Sequence, residues 1–251
     1  MLSKNRAQFI RSLHQKKFRQ EHGLFLVEGA KSVREVLASD FRVDTLLATE
    51  AFYKENALPA DRQPPSVEIV SPEELTRVGT LESNNMALAL VRTRENRPLL
   101  AEPGEIVLLL DDVRDPGNLG TILRIADWYG VRKVVCSDTT AEVYNPKVIS
   151  ASKGSFTRVH WYYTDLVAYA QALPAGTPVY GAFLDGQNVH NLPFGTEGGY
   201  LMMGNEANGI RPELVPMVSR SVTIPRYGDA ESLNVGIATA VILDNWRRGA
   251  M

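Results

Sequence analysis

The feature that most constrains this chain is a series of short, unbroken apolar runs in its second half, at Ile106–Leu110, Val131–Cys136, Val179–Phe183, Tyr200–Met203 and Ser221–Ile224. A strand with one wet face alternates polar and apolar residues, so a run such as Ile-Val-Leu-Leu-Leu demands cover on both faces, as in a parallel sheet. Helical segments separate most of the runs. The expected fold class is therefore α/β, with a mostly parallel sheet and helices on both of its faces. Sheets of this kind bind ligands outside the carboxyl ends of their strands. The loops after these runs are accordingly where chemistry is expected.

A smaller α/β unit precedes them. Phe9, Ile10 and Leu13 give the first segment a helical apolar face, Leu24–Glu28 reads as a strand, and Val33, Val36 and Leu37 mark the next helix. Further strands are expected at residues 43–48, 67–70 and 86–91, with helices around 51–55 and from Ser71 onward. Ser71, Pro72 and Glu74 have the chemistry of a helix start. Residues 96–105, with Pro98, Pro103 and Gly104, read as a linker. The expected organisation is one domain over residues 1–95, the linker, and a second domain over 106–251.

Composition narrows the function classes. The apolar runs fall well short of the roughly 18 residues of a membrane span, so no membrane association is expected. The basic N-terminus lacks the apolar stretch and cleavage site of a secretory signal, which points to the cytoplasm. Cys136 is the only cysteine and lies in an apolar run, where it reads as a small buried hydrophobe. The four histidines show no paired ligand spacing, so no metal site is expected. The net charge is -2, yet Lys4, Arg6, Arg11, Lys16, Lys17 and Arg19 face the single acid Glu21 over residues 1–22. Such a cluster is either a footprint for phosphates or a solvated basic helix.

Three polar segments stand out in the second half. In Asp115-Pro116-Gly117-Asn118-Leu119-Gly120-Thr121-Ile122-Leu123-Arg124, Asn118 reads as the cap of a helix whose core face holds Ile122, Ile125, Ala126 and Tyr129. Arg124 then lies on the opposite face beside Trp128, a pairing enriched at subunit interfaces. Gly204-Asn205-Glu206-Ala207-Asn208-Gly209 reads as a tight turn where a backbone approaches a ligand, or as an ordinary connection to a helix starting near Pro212. In Ser232-Leu233-Asn234, Ser232 reads as the cap of the last helix, in which Gly236, Ala238 and Ala240 permit close packing.

Together, and in this order, the segments resemble the SpoU (TrmH-like) family of RNA 2′-O-ribose methyltransferases in the SPOUT superfamily. Asn118, Gly120 and Arg124 match the family's first motif, Gly204, Glu206 and Gly209 the second, and Ser232, Leu233 and Asn234 the third. Asn145-Pro146-Lys147 with Ser150–Ser155 is a weaker match, and Phe25–Gly29 looks like the start of the family's substrate-binding domain. One departure is Ala207, where many members carry glycine.

The resemblance implies S-adenosyl-L-methionine as cofactor, a trefoil-knotted cofactor site and a homodimer through the C-terminal domain. It also implies a ribosomal or transfer RNA substrate, bound by the N-terminal domain through Lys4, Arg6, Arg11, Lys16, Lys17 and Arg19. Gly204, Ile224 and Leu233, with Asn205 and Gly209, would line the cofactor site, and Arg124, Asn118, Glu206, Ser232 and Asn234 would serve catalysis. The family's proposed base is the motif arginine. A guanidinium holds its proton far more tightly than the other basic side chains and is a poor proton acceptor, so Arg124 is expected to stabilise the developing alkoxide or bind the adjacent phosphate as a charged group. A catalytically silent RNA-binding relative is the alternative. A dinucleotide or nucleoside-triphosphate enzyme is disfavoured, because the chain lacks both G-x-G-x-x-G and G-x-x-x-x-G-K-[ST].

Overall fold

The computed structural model describes residues 1–56 and 63–249, which divide into two compact units. The first opens with helices α1 (Lys4–Ser12) and α2 (Lys16–His22), where the sequence suggests one helix. The break has a physical cause. Arg19, 2% exposed, folds back to donate Nη1 to the carbonyls of Leu13 and His14, which the end of α1 leaves without helical partners. There follow β1 (Leu24–Glu28), α3 (Ala30–Ala38), β2 (Val43–Ala48), α4 (Glu50–Glu55), β3 (Ser66–Ile69), α5 (Pro72–Val78) and β4 (Ala87–Arg92). The sheet order is β1-β4-β2-β3, with only the β2–β3 pair parallel. Ile10, Leu13, Leu26, Leu47, Leu75 and Leu88 form its core. The expected start of α5 forms as a reciprocal capping box between Ser71 and Glu74.

The second unit begins at Asn96, and its first residues are fastened rather than loose. Asn96 exchanges hydrogen bonds with the main chain of Tyr163, Tyr169 Oη donates to the Leu99 carbonyl, and Lys133 Nζ donates to the Leu100 carbonyl and to Glu105. Strand β5 (Ile106–Leu110), α6 (Pro116–Trp128) and β6 (Lys133–Ser137) come next. Then the chain returns to the first unit for residues 142–157, which the sequence assigns to the second domain. Its helix α7 (Pro146–Ser152), capped by Asn145, packs on β1. Aromatic packing holds this return. Phe25 contacts Tyr144 and Phe156 with ring centroids 4.6 and 6.1 Å apart, Phe41 meets Phe156 at 5.6 Å, and Glu142 pairs with buried Arg19.

Strand β7 (His160–Thr164) resumes the second unit, followed by α8 (Leu166–Gln171), β8 (Val179–Asn188), β9 (Gly199–Met203), β10 (Arg220–Thr223) and α9 (Val235–Gly249). The six strands run parallel in the order β10-β8-β9-β5-β6-β7. Every residue of β5 and β9 is buried. Val107 and Leu109 pack with Leu166 and Ala170 of α8, while Leu108 and Leu110, on the opposite face by strand alternation, are also fully buried. Both faces are therefore covered, as the apolar runs demand. Trp246 anchors α9 by packing on Tyr180 and Phe194, at 4.5 and 5.0 Å between ring centroids. No helix among the described residues is long and apolar enough to cross a membrane.

Candidate active site

Strands β5 and β9 are neighbours and end together, with Leu110 opposite Met203, so the loops that follow them meet. After β9 the chain closes a tight ring. Asn205 and Gly209 exchange two main-chain hydrogen bonds of 2.9 Å, and Gly209 takes the left-handed conformation with φ 68°. Gly204 is required here, since a Cβ would stand 2.1 Å from the Gly209 carbonyl carbon. The Asn205 side chain braces the ring from inside. Its Oδ1 accepts the N–H groups of Ala207 and Asn208, and its Nδ2 donates to the Asp112 carbonyl at 2.8 Å. Ala207 is outside the positive-φ region, so alanine fits this ring without strain. The helix expected near Pro212 does not form: Arg211 gives its N–H and its Nε to Asp111, and the chain makes only a short 3-10 turn at Val215–Met217.

The caps of the two flanking helices differ from the sequence reading, and the difference creates the site. Asp115, not Asn118, caps α6, accepting the Asn118 N–H at 2.8 Å, with Pro116 in the first turn. Asn118 therefore has a free side chain one turn inside. Asn234, not Ser232, caps α9, its Oδ1 accepting the N–H groups of Gly236 at 2.9 Å and Ile237 at 3.3 Å. Those two amides fix which end of the Asn234 side chain is oxygen. Its Nδ2 must then donate to Asn118 Oδ1, at 2.8 Å, which leaves Asn118 Nδ2 to donate to Glu206 Oε1 at 2.7 Å. One directed chain of amides thus joins all three polar segments. It is seated where α6 and α9 pack closely, with Thr121 Cγ2 3.2 Å from where a Cβ on Gly236 would be.

The remaining expected residues lie around this chain. Arg124 is exposed on the outer face of α6 with Trp128, 84% exposed, and makes no hydrogen bond or ion pair among the described residues. Ser232 is exposed and outside the amide chain, whereas Ile224 is half-buried after β10 and Leu233 is half-exposed before α9. The main-chain N–H and C=O groups of Gly204, Ile224 and Leu233 pair with nothing among the described residues. Three loops thus offer free main-chain donors and acceptors beside apolar side chains.

Two features escape sequence reading. Strand β8 leaves its ladder between Gly181, opposite Ser221, and Gln187, opposite Val222, throwing out residues 182–186 with Leu184 largely exposed. The signal is the glycine at 186, where a Cβ would come within 2.8 Å of the Ser221 carbonyl. The other is the pair Asp111 and Asp112 after β5, both buried. Asp112 turns the chain with φ 58° and donates its N–H to Ser137 Oγ. Burial opposes its charge most, but hydrogen bonds from Arg114 and Thr139 and the charges of Arg114 and Arg211 hold its carboxyl below the usual value. Two acids following a wholly apolar strand are the signal, because a buried carboxylate needs partners.

Of the residues expected to meet RNA in the first unit, Lys4, Arg11, Lys16 and Lys17 are exposed. Arg6 is committed to Glu68 and Thr45. Arg19 is a correction, since a buried guanidinium held by Glu142 and two carbonyls cannot contact phosphate.

Two family models match the chain, the SpoU rRNA methylase family over residues 105–244 and the MRM3-like substrate binding domain over residues 4–89. The first match spans more than half of the sequence. The chain belongs to the SpoU rRNA methylase family. This SpoU protein is 33% identical over 240 residues to the 23S rRNA (guanosine(2553)-2′-O)-methyltransferase RlmP of Bacillus subtilis, covering 94% of each chain. Its structure is similar to that of a TrmH-family protein from Porphyromonas gingivalis, with TM-score 0.89, 39% identity and 99% of both chains covered. It also matches the S-adenosylmethionine-bound rRNA methyltransferase of Sinorhizobium meliloti, with TM-score 0.88 and 28% identity over 100% of this chain and 97% of that one. The three segments that the Asn234–Asn118–Glu206 chain ties together all lie within the residues matched by the SpoU family model.

Proposed function

We infer that this protein transfers a methyl group from S-adenosylmethionine to a ribose 2′-hydroxyl of ribosomal or transfer RNA. The observation that carries the reading is the directed amide chain from Asn234 through Asn118 to Glu206, built where parallel strands end. The free main-chain groups of Gly204, Ile224 and Leu233, with Leu184 and Leu233 exposed, suit a flat heterocycle that needs edge hydrogen bonds and apolar faces. When bound, the cofactor supplies an electrophilic methyl group on a sulfonium. The protein's task is then positioning and handling of the hydroxyl proton. Asn118 presents Glu206 in one orientation, and the second carboxyl oxygen of Glu206 is free to hold a ribose hydroxyl. Arg124, with no protein partner among the described residues, stays charged and steadies the developing alkoxide or the adjacent phosphate.

Two copies pair through the outer faces of α6 and α9, which expose Trp128 and Ile237, and Arg124 lies on that face. The loops after β9 and β10 form the knot around the cofactor. Lys4, Arg11, Lys16 and Lys17 give the N-terminal unit its phosphate contacts, in the cytoplasm.

The test is a fluorescence titration with S-adenosylmethionine, NAD and ATP, followed by mapping of 2′-O-methyl positions in total RNA from cells with and without the gene. Binding of S-adenosylmethionine alone and loss of one ribose methylation on deletion are expected. An unchanged methylation map with no affinity for S-adenosylmethionine refutes the assignment.

A further inference from the structure

The consecutive acids at the end of β5 each carry one arginine, docked in the same way. Arg211 donates Nε to Asp111 Oδ1 at 2.7 Å and its main-chain N–H to Oδ2 at 2.8 Å. Arg114 donates Nε to Asp112 Oδ1 at 2.8 Å. The carboxylates are the buried partners, with side-chain exposures of 0% and 11%, and the arginines reach outward, at 40% and 70%. In both pairs the Nε edge is engaged, and among the described residues neither arginine has a side-chain acceptor for its two Nη groups.

A guanidinium that merely neutralises an acid commonly uses two of its donors in a fork. Here one hydrogen bond tethers each group at Nε, and both of its Nη groups are left without an acceptor among the described residues. That pair of amino groups matches two oxygens of a phosphodiester, and the tether narrows the positions from which they can form the contact. The location is equally specific. Asp112 also receives Asn205 Nδ2 at its carbonyl, the neighbouring Glu206 is bonded to Asn118, and Arg114 directly precedes Asp115, which holds the Asn118 N–H. Arg114 and Arg211 therefore lie on the two loops that also carry Asp115, which holds the Asn118 N–H, and Glu206, which accepts from Asn118.

We propose that Arg114 and Arg211 form a clamp for the phosphodiester backbone of the substrate RNA, with Arg114 acting as a positioning residue that sets the target ribose over Asn118 and Glu206. This rests on the methyltransferase reading above. Arg114 is the residue to change, because Asp112 keeps Asn205 and Thr139 as partners without it, whereas Asp111 has no exposed surface and would lose its countercharge with Arg211.

The experiment measures methyl transfer by the full chain and its Arg114→Gln and Arg114→Lys variants, over about 50–300 mM KCl, the salt range in which phosphate contacts are most sensitive. The RNA is total ribosomal and transfer RNA from cells lacking the gene, and the affinity for S-adenosylmethionine is titrated in parallel. Arg114→Gln is expected to raise KM for RNA about tenfold, with much less effect on kcat and none on cofactor affinity. It should also flatten the dependence of log KM on log salt by about 0.7–0.9, the loss of one phosphate contact. Arg114→Lys should recover the salt dependence and part of KM. If Arg114→Gln keeps the wild-type KM and salt dependence in an active enzyme, the clamp is wrong and the methyltransferase reading stands. If cofactor affinity falls in step with KM, the arginine only braces the loop and the clamp is again wrong. Wild-type protein that binds no S-adenosylmethionine and methylates none of this RNA overturns the reading and the clamp together.

Discussion

Asn234→Asp separates the two roles of Asn234 in a single atom exchange. Aspartate caps a helix as well as asparagine does, so the bonds from Gly236 and Ile237 survive and α9 should lose no stability. The Nδ2 donor to Asn118 is lost, however. Asn118 Oδ1 would then face an acceptor, and its amide must flip to donate to the new carboxylate. The flip points Oδ1 at Glu206 Oε1, replacing a 2.7 Å hydrogen bond with two acceptors in contact. A hydrogen bond to a charged group contributes about 1.5–3 kcal/mol. At about 1.4 kcal/mol per tenfold, and discounting for solvent exposure, kcat/KM should fall roughly ten- to a hundredfold. Asn234→Ala removes cap and donor together and should additionally cost about 1 kcal/mol, or roughly 2–4 °C in Tm. The assay is methyl transfer paired with a thermal melt and an S-adenosylmethionine titration. An Asn234→Asp enzyme with wild-type kcat/KM, or one whose loss of rate tracks a loss of Tm, refutes the directed amide chain.

Arg19→Met should destabilise the first unit by about 3–5 kcal/mol, the range for breaking a buried pair, because Glu142 and the Leu13 and His14 carbonyls all lose their donor; urea unfolding measures it. Gly204→Ala should abolish S-adenosylmethionine binding by forcing the 204–209 ring open, while Ala207→Gly leaves the titration unchanged. Asp112 has a lowered folded pKa, so its contribution to stability is present above the unfolded carboxyl pKa of about 3.9 and fades as pH falls through the lower folded value. Asp112→Asn should therefore flatten the acid limb of stability against pH, and an identical limb in the two proteins would contradict that assignment. Trp128→Glu should yield a monomer by analytical ultracentrifugation with reduced methyl transfer, because it places a charge in the proposed subunit interface.

Where burial is uniform, the sequence discloses the structure readily. Ile106–Leu110 can only be a strand covered on both faces, and Ser71 with Glu74 can only help to start a helix. Strand β7 escapes because it is an edge strand of half-buried residues, His-Trp-Tyr-Tyr-Thr, with no apolar run to mark it. Asn118, Glu206 and Asn234 are recognisable as candidates, but their connection is not. Good caps compete at Asp115 and Asn118, and again at Ser232 and Asn234, and long-range partners decide which residue caps and which is left free to bond across the site. Arg19 shows the same limit. Its five cationic neighbours suggest a phosphate surface, and only Glu142, distant in sequence, reveals a buried anchor.

The return of residues 142–157 to the first unit has a consequence for synthesis. When residue 95 leaves the ribosome, the N-terminal body still lacks the partners of Phe25, Phe41 and Arg19. The last of them, Phe156, arrives about 60 residues later, roughly 3–12 s at 5–20 residues per second. Through that interval β5, α6 and β6 are already made, so the first unit is completed only while the second is being built. A fragment ending at residue 95 would keep an apolar face open permanently, and a gene encoding this N-terminal unit could not be transplanted as one uninterrupted piece.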